Sequence, residues 1–195
     1  IQPNHVHELP PDWQAQLYDL LRQPNVVALG EIGLDYHWMK APPEQQAAIF
    51  REQLAMAREL DLPVVIHCRE AAADTLAVLR ADGQGVRGVM HSFSGDWAFA
   101  EACLEIGFLL SFSGPITFPK AKDLHTVVQR VPAPVILAET DTPYLTPHPH
   151  RGERNEPAYV RYVVERIAAL RGKTAEAVSE QIWQNAQTIF RILHT

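Results

Sequence analysis

The chain has 195 residues, 47% of them hydrophobic, and a formal net charge of −6, which suits one globular domain and argues against non-specific coating of nucleic acid. No apolar stretch approaches the roughly 20 residues of a membrane span, and no basic start precedes an apolar run, so neither a span nor a secretory signal is predicted. Two cysteines are too few for a disulfide framework, which favours a reducing, cytoplasmic setting.

Five short apolar runs, each ending on a polar residue, predict the strands of a parallel sheet. Their unbroken Val, Ile and Leu content is typical of parallel strands that are covered on both faces. In chain order they are VVALGE (Val26–Glu31), PVVIH (Pro63–His67), GVMH (Gly88–His91), GFLLSFS (Gly107–Ser113) and PVILAETD (Pro134–Asp141).

Amphipathic segments between and after these runs predict helices, the first from Pro43 to about Leu60. Asn155 is predicted to cap a later helix, with Pro157 near its start, and a last helix begins near Thr174. The apolar stripe of the first helix comprises Ala47, Phe50, Leu54 and Ala57, and the apolar residues of the later helices are Leu76, Leu79, Leu124, Val127, Val128, Val160, Val163, Val164, Ile167, Leu170, Val178, Ile182 and Ile189. The alternation predicts a single α/β domain over residues 1–195, either a (β/α)₈ barrel or an open doubly wound sheet.

Four polar side chains stand at the ends of four predicted strands, namely Glu31, His67, His91 and Asp141. In a barrel, the carboxyl ends of the strands converge on the face where active sites are found. Two imidazoles and two carboxylates make a mixed nitrogen and oxygen ligand set for a divalent metal. A lone His at a strand end more often makes a core hydrogen bond, and a lone carboxylate more often caps a helix. Four at equivalent positions favour a metal site.

Two neighbours of His67 have their own interpretations. Arg69 leaves the same strand, where its guanidinium suits a phosphate or carboxylate, or else a salt bridge to Glu70 or Asp74. Cys68 is predicted to point away from His67, because side chains alternate along a strand, and to be a small buried hydrophobe.

The proline-rich segment PHPHRGERNEP predicts an irregular loop. His148 and His150 form an H-x-H sequence there, which contacts either substrate or solvent. Arg151 and Arg154 are weak candidates for phosphate contacts and are equally well explained as surface charges.

Five motifs resemble those of the TatD-type metal-dependent nucleases, in the family's order and from about Ile1 to the C-terminus. They are GEIGLDY (Gly30–Tyr36), VVIHCRE (Val64–Glu70), HSFSG (His91–Gly95), ETDTPYL (Glu139–Leu145) and PHRGERNEP (Pro149–Pro157). The resemblance implies a TIM-barrel hydrolase of the amidohydrolase kind that binds one or two divalent ions. It further implies Mg²⁺- or Mn²⁺-dependent hydrolysis of DNA, often as a 3′–5′ exonuclease, with Zn²⁺ also found in such sites.

The resemblance also implies roles for the four strand-end residues. Glu31 would be a metal ligand that bridges two ions, and His67 and His91 would hold one of them. Asp141 would hold the other and help to activate water, which makes Glu31 and Asp141 the expected catalytic residues. Arg69 would neutralise phosphate charge.

The sequence HVH near the start is not predicted to be the family's metal-binding H-x-H. Two ligands at i and i+2 share one face only in an extended strand, and no Val or Ile run brackets His5 and His7. The family's H-x-H lies on its first strand, so the barrel is expected to lack its first two to three strands in this chain. The other three ligands could then still bind one ion, whereas Asp141 would lack its co-ligands.

Three functions remain open from the sequence. The leading one is metal-dependent hydrolysis of phosphodiesters in DNA or another nucleic acid. The second is metal-dependent ester or amide hydrolysis, such as deacylation of mischarged tRNA or lactone opening, because a fold does not fix its substrate. The third is a catalytically inactive, truncated barrel that acts as a binding module. No membrane association and no stable protein partner are predicted.

Overall fold

The structure is a computed structural model that describes residues 1–192, in which parallel strands alternate with helices. The chain divides into two compact units. One comprises Ile1–His91 with Ile189–Ile192, and the other comprises Ser92–Thr188. Strands pair in parallel within each unit, so the predicted α/β class is confirmed. The expectation of a single domain stays a prediction.

The first unit contains three strands and three helices. Its strands are β1 (Leu29–Asp35), β2 (Val64–Arg69) and β3 (Gly88–Met90), and its helices are α1 (Trp13–Leu21), α2 (Pro43–Glu59) and α3 (Ala72–Asp82). Within it, β2 pairs in parallel with both β1 and β3. A 3₁₀ helix over Pro3–Glu8 precedes α1.

The core of the first unit forms where α2 packs on β1. The helix begins at Pro43, where the missing N–H costs nothing because the first turn leaves that donor unused. Phe50 and Leu54 lie on the predicted apolar stripe and are fully buried, as are Ile32 of β1 and Ile66 of β2. Burying each such side chain contributes about 1.5–3 kcal/mol, so this layer fixes β1 and β2.

The second unit contains the remaining two strands and four helices. They are α4 (Trp97–Glu105), β4 (Phe108–Phe112), α5 (Lys122–Arg130), β5 (Ile136–Ala138), α6 (Val160–Arg171) and α7 (Ala175–Phe190), whose last two residues belong to the first unit. Strands β4 and β5 pair in parallel, with Leu110 opposite Ile136. Val127 of α5 and Ile167 of α6 are fully buried in this unit. Within residues 1–192, no helix combines the length and apolar character that crossing a bilayer requires.

Several strand ends differ from the sequence expectation, and β2 continues past His67 to Arg69, so His67 lies within the strand. A strand over Val26–Glu31 would end at Glu31, but β1 begins at Leu29 and continues to Asp35. Its register against β2 shifts between Gly30 and Ile32, which makes Glu31 the extra residue of a β-bulge. Strand β5 ends at Ala138, so Asp141 lies in the following loop and not at the strand end.

Asn155 does not cap a helix, contrary to the prediction. The chain enters α6 at Val160 through a short 3₁₀ turn, and Asn155 lies before that turn. Its buried side-chain amide donates hydrogen bonds to the carbonyl oxygens of Thr140 (2.7 Å) and Tyr144 (2.6 Å). Asn155 therefore joins the two sides of the loop that carries Asp141.

Candidate metal centre

Three side chains of the first unit converge on one point. Glu31 comes from the bulge in β1, His67 from β2 and His91 from the position after β3, and one ligand atom of each lies within 4.8 Å of the others. Glu31 Oε2 is 3.6 Å from His67 Nδ1, and Glu31 Oε1 is 3.7 Å from His91 Nε2. These distances are too long for hydrogen bonds. They are close to the roughly 3.4 Å that separates two ligand atoms on one tetrahedral ion.

Backbone pairing places the two histidines of this trio. His67 lies directly opposite Gly33, whose φ is +136°, and a Cβ at Gly33 would lie 2.0 Å from the carbonyl oxygen of His67. Only glycine fits there. His91 continues the ladder beyond β3, because its N–H donates to the carbonyl oxygen of Ile66 at 2.9 Å. The strands themselves therefore fix where both imidazoles leave the sheet.

The electrostatics of the trio suit a divalent cation. The side chains of His67 and His91 are only 17% and 13% exposed, whereas Glu31 is 37% exposed, so the centre opens to solvent on its carboxylate side. The imidazole of His67 lowers the pKa of the Glu31 carboxyl, and His91 adds to this effect against the opposing effect of burial. Two imidazole nitrogens and one ionised carboxylate form a donor set for a divalent metal, in which the carboxylate suits Mg²⁺ or Mn²⁺ and the imidazoles suit Zn²⁺.

Asp35, which the sequence analysis does not single out, orients one member of the trio. It is 1% exposed, and its Oδ2 lies 2.9 Å from His67 Nε2. Its Oδ1 accepts the backbone N–H groups of His37 (3.0 Å) and Trp38 (2.9 Å), and Asn4 Nδ2 donates to Oδ2 at 3.0 Å. Burial raises the pKa of Asp35, but these hydrogen bonds lower it further, so the net shift is downward. An ionised Asp35 accepts a hydrogen bond from the Nε2–H of His67, which leaves the Nδ1 lone pair for a cation.

Asp35→Asn is expected to weaken metal binding by about 10- to 100-fold. The asparagine oxygen would keep the two backbone N–H donors of His37 and Trp38, so its NH₂ group would face His67 Nε2. That arrangement favours the tautomer with the proton on Nδ1, where the cation should bind. Calorimetric titration of the metal-free protein with Mn²⁺ measures the change. Asp74→Asn, at an exposed position of α3, is the matched control, and equal affinity of the two variants would contradict the role given to Asp35.

Asp141, the fourth predicted ligand, belongs to the second unit. Its backbone has a φ of +57°, and its carbonyl oxygen accepts the N–H of Tyr144 at 2.8 Å. In the same loop region, Arg154 lines a pocket of about 470 Å³ together with Thr142 and Pro143. The metal cluster found among residues 1–192 consists of the first unit's trio, and the place of Asp141 beside it stays a prediction.

Arg69 forms neither of the two salt bridges that the sequence left open. Glu70 Oε1 lies 2.7 Å from His37 Nδ1, and Asp74 Oδ2 accepts the hydroxyl of Tyr36 at 2.7 Å. Burial, together with the bond to Asp74, raises the pKa of Tyr36 to about 12, so this hydroxyl stays a donor. The guanidinium carbon of Arg69 instead lies over the ring of Trp38, 5.6 Å from the ring centroid.

The HVH segment lies in the 3₁₀ helix over Pro3–Glu8 and not on a strand, as expected. His5 Nδ1 is 3.0 Å and His7 Nε2 is 3.4 Å from the Glu8 carboxylate, so both imidazoles contact one acidic side chain. Cys68 is half-buried and accepts a hydrogen bond from Thr75 Oγ1 at 3.3 Å, on the side of α3. Cys68 is therefore less buried than predicted, although burial still raises the pKa of its thiol, as is typical of structural cysteines.

Aromatic rings hold the proline-rich loop of the second unit. The ring of His150 stacks on Tyr159 with 4.4 Å between centroids, so this histidine contributes to the packing of the loop. Arg151 lies over Phe118 at 4.5 Å, and His148 meets the same ring edge-on at 6.2 Å. His148 and Arg151 remain exposed.

Comparison with known proteins gives consistent matches over nearly the whole chain. A family model described as TatD related DNase matches residues 1–191. An uncharacterized metal-dependent hydrolase of Bacillus subtilis, YabD, is 46% identical over 91% of this chain and 70% of its own length. A protein of Pantoea vagans named 3′-5′ ssDNA/RNA exonuclease TatD is 38% identical over 98% of this chain and 76% of its own length. The crystal structure of YJJV, a TatD homologue of Escherichia coli K12, superposes with a TM-score of 0.92 at 30% identity, over 99% of this chain and 75% of that one.

Proposed function

The chain belongs to the TatD-related DNase family of metal-dependent hydrolases with a TIM-barrel fold, and from this premise we propose that it hydrolyses phosphodiester bonds of nucleic acid. The proposed reaction is 3′–5′ exonucleolytic removal of nucleotides from single-stranded ends. The convergence of Glu31, His67 and His91 within 4.8 Å carries the proposal. The name of the Pantoea vagans relative, at 38% identity, supports the choice of substrate.

We further propose that the trio holds a divalent cation, with one or two ions per chain and Mg²⁺ or Mn²⁺ ahead of Zn²⁺. His67 Nδ1, His91 Nε2 and the Glu31 carboxylate are the ligands, and Asp35 keeps the Nδ1 lone pair of His67 available. A bound divalent cation supplies Lewis-acid chemistry, which acidifies water and neutralises phosphate charge. The low cysteine content keeps the cytoplasm as the proposed compartment.

Asp141 and Arg69 have separate roles in the proposed reaction. Asp141, assigned by its ETDTPYL motif, positions the attacking water and accepts its proton. The water oxygen bonds to phosphorus as the bond from phosphorus to the 3′-oxygen of the preceding nucleotide breaks, and that oxygen takes a proton from solvent. Arg69 forms no ion pair among the described residues and is available to neutralise the phosphate.

The decisive experiment uses 5′-labelled single-stranded DNA and RNA, with protein dialysed against a chelator and then resupplied with Mg²⁺, Mn²⁺ or Zn²⁺. Stepwise shortening from the 3′ end is expected with metal and none without it. An aryl ester and a lactone serve as parallel substrates. Turnover of these with intact DNA would favour the ester hydrolase, and shortening that a chelator does not stop would contradict the role of the trio.

A further inference from the structure

An exposed tryptophan follows β1, in the loop held by the carboxylate that orients His67. We propose that Trp38 is a stacking platform for a nucleobase of single-stranded substrate, with Arg69 beside it to meet the adjoining phosphate. This inference rests on the proposed function and adds a substrate-binding site to it.

The position of Trp38 is tied to the metal trio through one side chain. Its backbone N–H donates to Asp35 Oδ1 at 2.9 Å, while Asp35 Oδ2 lies 2.9 Å from His67 Nε2. The peptide that carries the indole ring is therefore separated from a proposed ligand by a single buried carboxylate. Trp38 is 58% exposed. A large aromatic side chain offers contact area at a low cost in conformational entropy, because it has only two rotatable side-chain bonds.

Arg69 adds a cation at the same place. It lies two residues beyond His67 in β2, so the two side chains leave the same side of the strand about 7 Å apart. Its guanidinium carbon lies 5.6 Å from the centroid of the Trp38 ring. The carboxylates beside it are engaged elsewhere, Glu70 with His37 and Asp74 with Tyr36. The indole ring of Trp38 can therefore stack on a base while the guanidinium of Arg69 binds the adjoining phosphate.

Trp38 also lines a pocket of about 390 Å³, which lies within the size range of small-ligand sites. The other lining residues are Asn4, His5, His7, Glu8 and Lys40. The HVH sequence thereby gains a use, since His5 and His7 line this pocket and their imidazoles can exchange hydrogen bonds with the polar edge of a base.

The chemistry favours an unpaired base over other ligands. In a duplex the faces of the bases are stacked on one another, so a single indole ring can stack only on a base that is unpaired or terminal. Base–aromatic stacking is also tolerant of sequence, because every base has a π-face, and a nearby arginine strengthens it. A platform beside the centre would therefore select single-stranded ends without selecting sequence.

The test compares wild type with Trp38→Ala and Trp38→Phe on two single-stranded DNA oligonucleotides. One carries a base at every position, and the other carries abasic residues at its three 3′-terminal positions. Trp38→Ala is expected to raise KM for the based oligonucleotide about tenfold, to leave kcat nearly unchanged, and to have no effect on the abasic one. Trp38→Phe should retain most of the preference for bases. Trp183→Ala, which removes another exposed tryptophan, is the matched control.

Binding measured without metal separates this inference from the proposed function. Fluorescence anisotropy of a labelled oligonucleotide in chelator should show the same loss of affinity in Trp38→Ala. If wild type binds but releases no nucleotide, and Trp38→Ala binds more weakly, the exonuclease proposal fails and the platform stands. If wild type releases nucleotides and Trp38→Ala equals it in KM and affinity, the platform is overturned and the exonuclease stands.

Discussion

Glu31→Gln is expected to lower the rate of metal-dependent nucleotide release by about 10³-fold or more. The substitution keeps the shape of the side chain but removes the charge whose two oxygens lie 3.6 Å and 3.7 Å from the imidazole nitrogens of His67 and His91. A neutral amide oxygen binds a hard divalent cation more weakly than a carboxylate does, because it lacks the negative charge. Loss of the cation removes several kcal/mol of transition-state stabilisation, at roughly 1.4 kcal/mol per factor of ten in rate.

The fold should survive this change, because Glu31 is the extra residue of the bulge and its side chain is 37% exposed. The measurements are the initial rate of release from 5′-labelled single-stranded DNA and the Mn²⁺ affinity by calorimetry. Glu44→Gln, at an exposed position in the first turn of α2, is the control and should match wild type in both. A Glu31→Gln protein with wild-type rate and Mn²⁺ affinity would remove Glu31 from the metal centre.

Asp141→Asn is expected to lower kcat by about 10³-fold while the first unit still binds Mn²⁺ with wild-type affinity. A general base contributes about 10²- to 10⁴-fold to rate, and asparagine cannot accept the proton of the attacking water. The ion of the trio should still bind, because its three ligands lie in the first unit. This split between rate and affinity distinguishes Asp141→Asn from Glu31→Gln.

Single-turnover kinetics at saturating substrate, with calorimetry on the same preparation, measure this split. Asp123→Asn, in the first turn of α5 and exposed, is the matched substitution in the same unit. Unchanged turnover of Asp141→Asn would mean that another group accepts the proton. The motif-based role of Asp141 would then be withdrawn, with the metal trio unaffected.

The sequence indicates the helices that bury a recognisable apolar stripe, but not α1 and α4. The helix predicted from Pro43 to about Leu60 is α2, which ends at Glu59, because several buried side chains repeat along it. Helices α1 and α4 were not delimited. Each buries only two side chains, Trp13 and Leu21 in α1 and Ala100 and Cys103 in α4. Two buried positions in nine residues leave too little periodicity to recognise.

The metal trio could be predicted from strand order, but its geometry could not. His67 and His91 follow apolar runs, and parallel strands bring such positions together. Glu31 joins them from within β1, because a bulge aims it, and a bulge depends on pairing with the neighbouring strand and not on local composition. Asp35 cannot be recognised as a site residue from its place at the end of the GEIGLD segment. Its importance arises from contacts to residues far along the chain, such as Asn4 and His67.

Because of the bulge in β1, Glu31 could be lost without loss of the fold. Leu29 and Ile32 are three residues apart, yet they pair with Val64 and Ile66, which are two apart, so the sheet accommodates Glu31 without needing it. Deletion of the Glu31 codon would restore regular pairing between β1 and β2 and leave Leu29 and Ile32 in the core. Evolution can therefore silence this centre in one step while keeping a folded protein that is free to acquire another use.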